Sequence, residues 1–380
     1  MNTVRCLRLL KRSGALSRAA LAREMNATRT TVGNAVKVLL DADLVWEPPD
    51  PKTARRTRSG RPSVGVALNG EGAYFVGLDV STSSMTAVLL DLTMSVVARI
   101  TRPIRGDPRD LDAVGDQLAA LAREAIGAAG PRRDRVRGVG ASVPGLIGRD
   151  GRVVVAPLLG WRDIDLKGLL APRLPGIETI RVCNDAVAVA NAICATASPA
   201  EVEDLLLLLM SEGIGGARIR QGAVVEGANG FAGEIGQMIM APALGEGAAS
   251  FQALAGERFF APFLPPGRPL IDAVTELAAR EADPAFAAAL DRWAGHLAAG
   301  LLNAIWLLDP ARIVVSGALA PLYPRAAARV GAMLAEGMNG LPPPPISVSR
   351  YGGEGAAVGA AAMMREALFA LPDFGEEVGK

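Results

Sequence analysis

Four stretches of this 380-residue chain carry side chains whose types and spacing could do chemistry. Asn184 and Asp185, in VCNDAVAVANA, set an amide beside a carboxylate where a strand runs into a helix, and Glu234 lies in GFAGEIGQM. Groups of this kind, held on rigid elements, suit a ring of hydroxyls, whose donors and acceptors must be matched singly. Asp185 could equally cap the helix that follows it. The third stretch, GLDVSTSS from Gly77 to Ser84, is a strand that ends in an acid, turns, and begins another strand. Such a turn can bring backbone N–H groups against a phosphate if glycines let the backbone approach. Here Ser81, Thr82 and Ser83 fill the turn, so Cβ atoms and hydroxyls crowd that space. The fourth stretch, TRTTVGN, gathers Thr28, Arg29, Thr30, Thr31 and Asn34, hydrogen-bonding side chains of the sort that meet base edges.

The elements that must position these groups fall into two parts. Residues 2 to 11 form an amphipathic first helix, with Val4, Leu7 and Leu10 on one side. SRAALAREM is a second helix with Ser17 as its N-cap, and after the short turn NA a third runs through TRTTVGNAVKVLLDADL. Val32, Val36, Leu39 and Leu40 recur there at helical spacing, which leaves the polar residues on the exposed N-terminal end. A positioning helix, a tight turn and a recognition helix make up a helix-turn-helix. Two strands, LVWE and SVGVAL, flank the basic loop PPDPKTARRTRSGRP and make a wing. Lys52, Arg55, Arg56, Arg58 and Arg61 in that loop suit phosphate contacts or minor-groove insertion; alone, the run would read as a solvated linker.

From Tyr74 strands alternate with Ala-rich helices, an α/β pattern. YFVGLDV, MTAVLLDL and SVVARITRPI read as three consecutive strands, and DLDAVGDQLAALAREAIGAAG as an amphipathic helix. VRGVGASVPGLI is a strand entering a loop that holds Gly145. The cycle restarts at EDLLLLLMSEGIGGARIRQGAVVEG, again a strand, a glycine turn and a returning strand, so the body is a duplicated fold with a cleft between lobes. The glycines at 213–216 either face a phosphate or simply allow a tight reversal. The expected boundaries are a head at 1–70, a first lobe at 71–185 joined by a closing helix at 356–380, and a second lobe at 186–355.

Charge follows the same division. Residues 1–70 hold 13 lysines and arginines against five acids, whereas the remainder holds 27 against 34. A basic head on an acidic body points to a polyanionic partner for the head alone. The N-terminus lacks the apolar core of a secretory signal, and the longest apolar run, LLLLLM, is far too short to span a bilayer. Three cysteines without metal-type spacing fit a reducing compartment, so the expected location is the cytoplasm.

GLDVSTSS, GVGASVPGLI, APLLGW, VCNDAVAVANA, GIGGARI, GANGFAGEIGQM and LLDPARIVVSGA, in this order, resemble the ROK family of bacterial repressors and sugar kinases. The resemblance implies a two-lobed, actin-like and ribonuclease-H-like body, and the winged head places the chain beside the xylose and N-acetylglucosamine repressors. By the same resemblance Asn184 and Asp185 hold a sugar, with the Asp as proton acceptor in kinases, and Glu234 reads it; Gly145 joins this set. The family's zinc-binding His position is Gln237, its Cys-rich loop is APALGEGAASFQALAGE with no cysteine, and its second sugar-reading Glu is Gln252. The chain's single histidine, His296, lies far along, so neither zinc nor any other metal is expected. Kinases of the family have DxGGT where this chain has Asp79-Val80-Ser81-Thr82-Ser83, so ATP and catalysis are not expected either.

The reading that results is a DNA-binding regulator, a repressor of carbohydrate genes. Its target is a double-stranded operator, its effector a sugar or similar polar molecule between the lobes, and its assembly a homodimer or higher oligomer. Two alternatives stay open: a sugar kinase with an appended head, and a regulator whose pocket is vestigial.

Overall fold

The structure, a computed structural model, describes residues 2–48, 65–241, 249–265, 267–280 and 283–370. The head begins with α1 (Asn2–Ser13), a short strand β1 (Leu16–Ser17), α2 (Arg18–Glu24) and α3 (Arg29–Asp41). It closes with β2 (Val45–Trp46) and β3 (Gly65–Leu68), which pair antiparallel, and β1 adds to the free edge of β3. Ser17 caps α2 by accepting the Ala20 N–H at 3.1 Å, as its sequence position predicts. The two-residue β1 was not expected; Leu16 is drawn into the sheet opposite Val66.

The body continues with β4 (Tyr74–Val80), β5 (Ser84–Asp91), β6 (Val96–Pro103), α4 (Leu111–Gly127) and β7 (Val136–Val143). Next come β8 (Leu146–Ile147), β9 (Val153–Ala156), β10 (Trp161–Ile164), α5 (Leu166–Leu170), β11 (Ile180–Asn184) and α6 (Asp185–Thr196). Its second half holds β12 (Asp204–Met210), β13 (Ile214–Arg220), β14 (Ala223–Val224), β15 (Ile239–Ala241), β16 (Ala249–Ser250), α7 (Phe251–Ala255), α8 (Leu270–Ala279) and α9 (Pro284–Leu308). The last elements are β17 (Ile313–Ser316), α10 (Tyr323–Gly337), β18 (Ile346–Val348) and α11 (Gly355–Ala370).

Two five-stranded sheets share one topology. In the first the order is β11-β7-β4-β5-β6, and in the second it is β18-β17-β12-β13-β14. In each, an antiparallel hairpin (β4–β5 or β12–β13) continues into parallel strands. Ligands of open α/β sheets bind beyond the carboxyl ends of such strands. Here those ends are Asp79-Val80, Val143 and Asn184 in one sheet, with Met210 and Ser316 in the other.

α6 and α11 join the two halves. The first eight positions of α11 are all Gly, Ala or Val, and twelve of its positions are buried, on all sides of the helix. A Cβ on Gly359 would stand 1.6 Å from the Ala188 carbonyl of α6, so only glycine permits this crossing. The head is not a separate bead. Leu7, Leu10, Leu39 and Val66 share one apolar cluster with Phe75, Val88, Met364 and Phe369 of the body. Lys11 pairs with Glu366 at 2.6 Å, and Arg8 Nε donates to the Phe369 carbonyl at 3.1 Å. Among the described residues no helix is long and apolar enough to cross a membrane.

Candidate functional site

In the cleft, Asp79 is next to last in β4 and stands opposite Ser142 of β7, whose hydroxyl donates to it at 2.5 Å. The following turn is closed by its own side chain. Ser81 Oγ accepts the Ser84 N–H at 3.2 Å and the Ser83 N–H at 3.4 Å, while Ser81 N donates to the Ser84 carbonyl at 2.9 Å. The N–H groups of Ser81, Ser83 and Ser84 thus already have partners within the turn. Thr82 Oγ1 reaches the other half of the body and donates to Glu212 Oε1 at 3.1 Å.

The Asn184–Asp185 pair divides its labour. Asn184, not Asp185, is the principal cap of α6: its Oδ1 accepts the Ala186 and Val187 N–H groups at 2.8 and 3.2 Å. Its Nδ2 donates to the Gly145 carbonyl at 3.0 Å, so both the oxygen and the nitrogen of the amide are engaged. Gly145 is itself enclosed, since a Cβ there would lie 2.4 Å from the Val155 carbonyl. Asp185 accepts the Ala186 N–H at 2.9 Å and lines the cleft with Asp79 and Glu212. Burial, then the neighbouring Asp79, pushes the Asp185 carboxyl up to about 7; burial pushes Asp79 to the same range, with Glu212 adding to it. Among the described residues no lysine, arginine or histidine lines this cavity of about 120 Å³.

Glu234 is carried over β13 by Gly233, whose φ is +97° and whose Cβ would stand 2.3 Å from the Gly216 carbonyl. Gly216 of β13 therefore serves close packing of the GEIG segment, while Gly215 lies against Ala186 of α6. Burial pushes Glu234 up to about 6, and its charge adds to the repulsion on Asp185. Gln252 Oε1 lies beside Gly213, next to Glu212, at 3.3 Å from where a Cβ of that glycine would stand. Gln237 is exposed, and only its backbone is engaged, donating to the Glu234 carbonyl at 3.1 Å. The structure thus gathers Asp185, Glu234 and Gln252 about the β12–β13 turn, holds Asn184 and Gly145 as their support, and leaves Gln237 at the surface. Asp79, Thr82, Ser142 and Glu212 were absent from the expected ligand set. The signal for the two acids was a carboxylate near the end of the first strand in each copy of the duplicated hairpin, within β4 for Asp79 and two residues past β12 for Glu212; Thr82 and Ser142 had no such signal.

The donor set does not fit zinc. Gln237 stands at the His position, and Cys6, Cys183 and Cys194 lie on α1, β11 and α6. Among the described residues no three His, Cys, Asp or Glu side chains gather as metal ligands.

On the head, Thr28 caps α3, accepting the Thr31 N–H at 3.1 Å, and the two hydroxyls lie 2.8 Å apart. Arg29, Thr30 and Asn34 are exposed on the first turns, and Lys37, which sequence reading left out, is exposed one turn further on. Lys52, Arg55, Arg56, Arg58 and Arg61 lie outside the described residues.

The sequence model of the ROK family matches residues 75–367. The xylose repressor of Bacillus subtilis is 26% identical over 232 residues, which are 61% of this chain and 58% of the repressor. The chain thus spans little more than half the length of that curated relative. Among solved structures, a ROK family transcriptional regulator, homologous to the MLC protein of E. coli, superposes with a TM-score of 0.75 at 21% identity. That match covers 97% of this chain and 96% of the regulator. The ROK hexokinase of Thermus thermophilus superposes with a TM-score of 0.61 at 25% identity, over 78% of this chain and 99% of the enzyme.

Proposed function

The chain belongs to the ROK family, and from that premise we propose that it is a DNA-binding transcriptional repressor of carbohydrate genes whose cleft binds a sugar. The head is read as a winged helix-turn-helix, with α3 as the recognition helix and the loop between β2 and β3 as the wing. The observation that carries the reading is the outer face of α3. Arg29, Thr30, Asn34 and Lys37 face solvent at the start of a helix whose other side is locked into the core. Thr30 and Asn34 read bases, while Arg29 and Lys37 meet phosphates. The sugar lies against Asp185, Glu234 and Gln252, and it is uncharged, because the three carboxylates Asp79, Asp185 and Glu212 repel an anion. The repressors of xylose in the family make xylose the first sugar to try. A ligand of this site acts on DNA binding only through unequal affinity for two states of the protein. Two heads joined in a dimer meet half-sites about one DNA turn apart.

The test is a titration of the purified protein against DNA flanking its own gene, with and without xylose, glucose and N-acetylglucosamine. The expected result is specific binding that one sugar weakens at least tenfold. Absence of specific binding to any such fragment sinks the reading. A second reading, a sugar kinase, is favoured by Asp185, a carboxylate near neutrality placed to accept a proton. Against it stands the self-bonded Ser81 turn. ATP-dependent sugar phosphorylation abolished in Asp185→Asn would decide for the kinase.

A further inference from the structure

We propose that a second ligand site lies at the seam between head and body, separate from the cleft, and that it takes a small organic anion that also carries hydroxyl groups. The seam holds a cavity of about 400 Å³, within the usual range of small-molecule sites. Its walls come from every part of the molecule: Lys11 from α1, Arg149 from the β8–β9 turn, Arg181 from β11, Asn191 from α6, Glu226 from the segment after β14, and Glu366 from α11. It has no lining residue in common with the cavity of Asp79, Asp185 and Glu212, although Asn184, the neighbour of Asp185, forms part of its wall.

Its charge is opposite to that of the cleft. Lys11 shares Glu366 with the buried Arg365, at 2.6 and 2.9 Å, and Arg149 lies 3.9 Å from Glu226, at the limit of an ion pair. Arg181 has no ion-pair partner among the described residues. One guanidinium is therefore left over, on an edge strand of a body that is acidic as a whole. A guanidinium fork matches a carboxylate or a phosphate with two parallel hydrogen bonds. Asn191, whose amide makes no hydrogen bond among the described residues, and Glu226 supply the donor and acceptors that hydroxyls need. The two sites sort ligands by charge: the cleft refuses an anion and the seam selects one. Lys11 belongs to the head, so a ligand at the seam also favours one arrangement of head on body, and on the repressor reading it alters operator affinity.

Calorimetry of the full chain with glucose 6-phosphate and with gluconate tests this, with glucose and inorganic phosphate as controls. The expected result is saturable binding of one of the two organic anions, at least tenfold tighter than inorganic phosphate. The phosphate and carboxylate arms tell which anionic group the site accepts. Binding should weaken tenfold or more in Arg181→Ala and severalfold in Arg149→Gln, a substitution at an exposed position that leaves the fold intact. Asp185→Asn should leave it unchanged, which separates this site from the sugar cleft. Failure of both anions to bind overturns the proposal, and so does binding that survives both arginine substitutions or disappears with Asp185→Asn.

Discussion

The Thr82 hydroxyl donates to Glu212 at 3.1 Å and thereby ties the turn after β4 to the turn after β12 across the cleft. The two turns hold equivalent places in the two sheets, so this single side-chain bond links corresponding points of the duplicated fold. The cavity behind it, about 120 Å³, is smaller than most ligand sites. A sugar entering there has to part the two turns. Thr82→Val removes the donor while keeping the shape. It should cost about 1 kcal/mol of stability and raise the association rate of a cleft ligand severalfold. Stopped-flow binding reads that rate, and a rate equal to wild type means the bond does not hold the cleft shut.

Asp79 and Asp185 make stability depend on pH in an unusual direction. Burial first of all, with Glu212 adding to both and Asp79 adding to Asp185, pushes both carboxyls up to about 7, against about 4 in an unfolded chain. Between those values the folded protein retains protons that the unfolded chain has lost, so stability falls as pH rises from about 4 to about 7 and then levels. The Tm should be several degrees higher at pH 6 than at pH 8. Asp185→Asn should raise the Tm at pH 8 and flatten the slope relative to wild type. Thermal melts of the two proteins in parallel isolate this pair from Asp107 and Glu201, whose lowered pKa values act in the opposite sense. A slope unchanged by the substitution refutes the assignment.

What the sequence reveals and what it hides follow the range of the interactions. Ser17 is readable as a cap because a cap depends on three residues of chain, and the strand β4–β6 run is readable from its apolar content; Thr28, read as a DNA contact, caps α3 in the same local way. Asp79 and Glu212 are 133 positions apart, and only the pairing of two sheets brings them to one cavity. The same limit hid the role of Asn184. A capping residue at a strand–helix junction is evident, but which of two adjacent residues caps is settled by Gly145 accepting from one of them. The glycines at 213–216 read as a phosphate turn or a reversal; in the structure Gly216 is a bed for Gly233 and Ile235, and Gly215 lies against Ala186 of α6. α11 reads as a closing helix; that it also carries the head follows from Met364 and Phe369 meeting Leu7 and Leu10, which no local pattern encodes.

On α3, base readers and phosphate contacts should separate in their response to salt. Lys37→Ala should weaken binding to every DNA sequence alike and reduce the slope of log affinity against log salt by about one unit. Asn34→Ala should leave that slope unchanged and remove about 1–3 kcal/mol of discrimination at one base pair. Fluorescence anisotropy at several salt concentrations distinguishes them. A salt slope altered by Asn34→Ala would place that side chain on the backbone.

Asn184 carries three hydrogen bonds that a ligand does not need to be present to make: two to the first N–H groups of α6 and one to the Gly145 carbonyl. Asn184→Ala removes all three and should cost about 2 kcal/mol, read as a lower denaturant midpoint with unchanged slope. Asn184→Asp keeps the cap, since its carboxylate still accepts from Ala186 and Val187, and a carboxylate at a helix N-terminus is favoured. It loses the donor to Gly145 and sets a third acid beside Asp79 and Asp185. Stability should therefore lie between wild type and Asn184→Ala at pH 8 and recover toward wild type at pH 6, as protonation restores a donor. If Asn184→Asp and Asn184→Ala are equally unstable at both values, the Gly145 bond outweighs the cap. If both match wild type, Asn184 is free to serve the ligand directly.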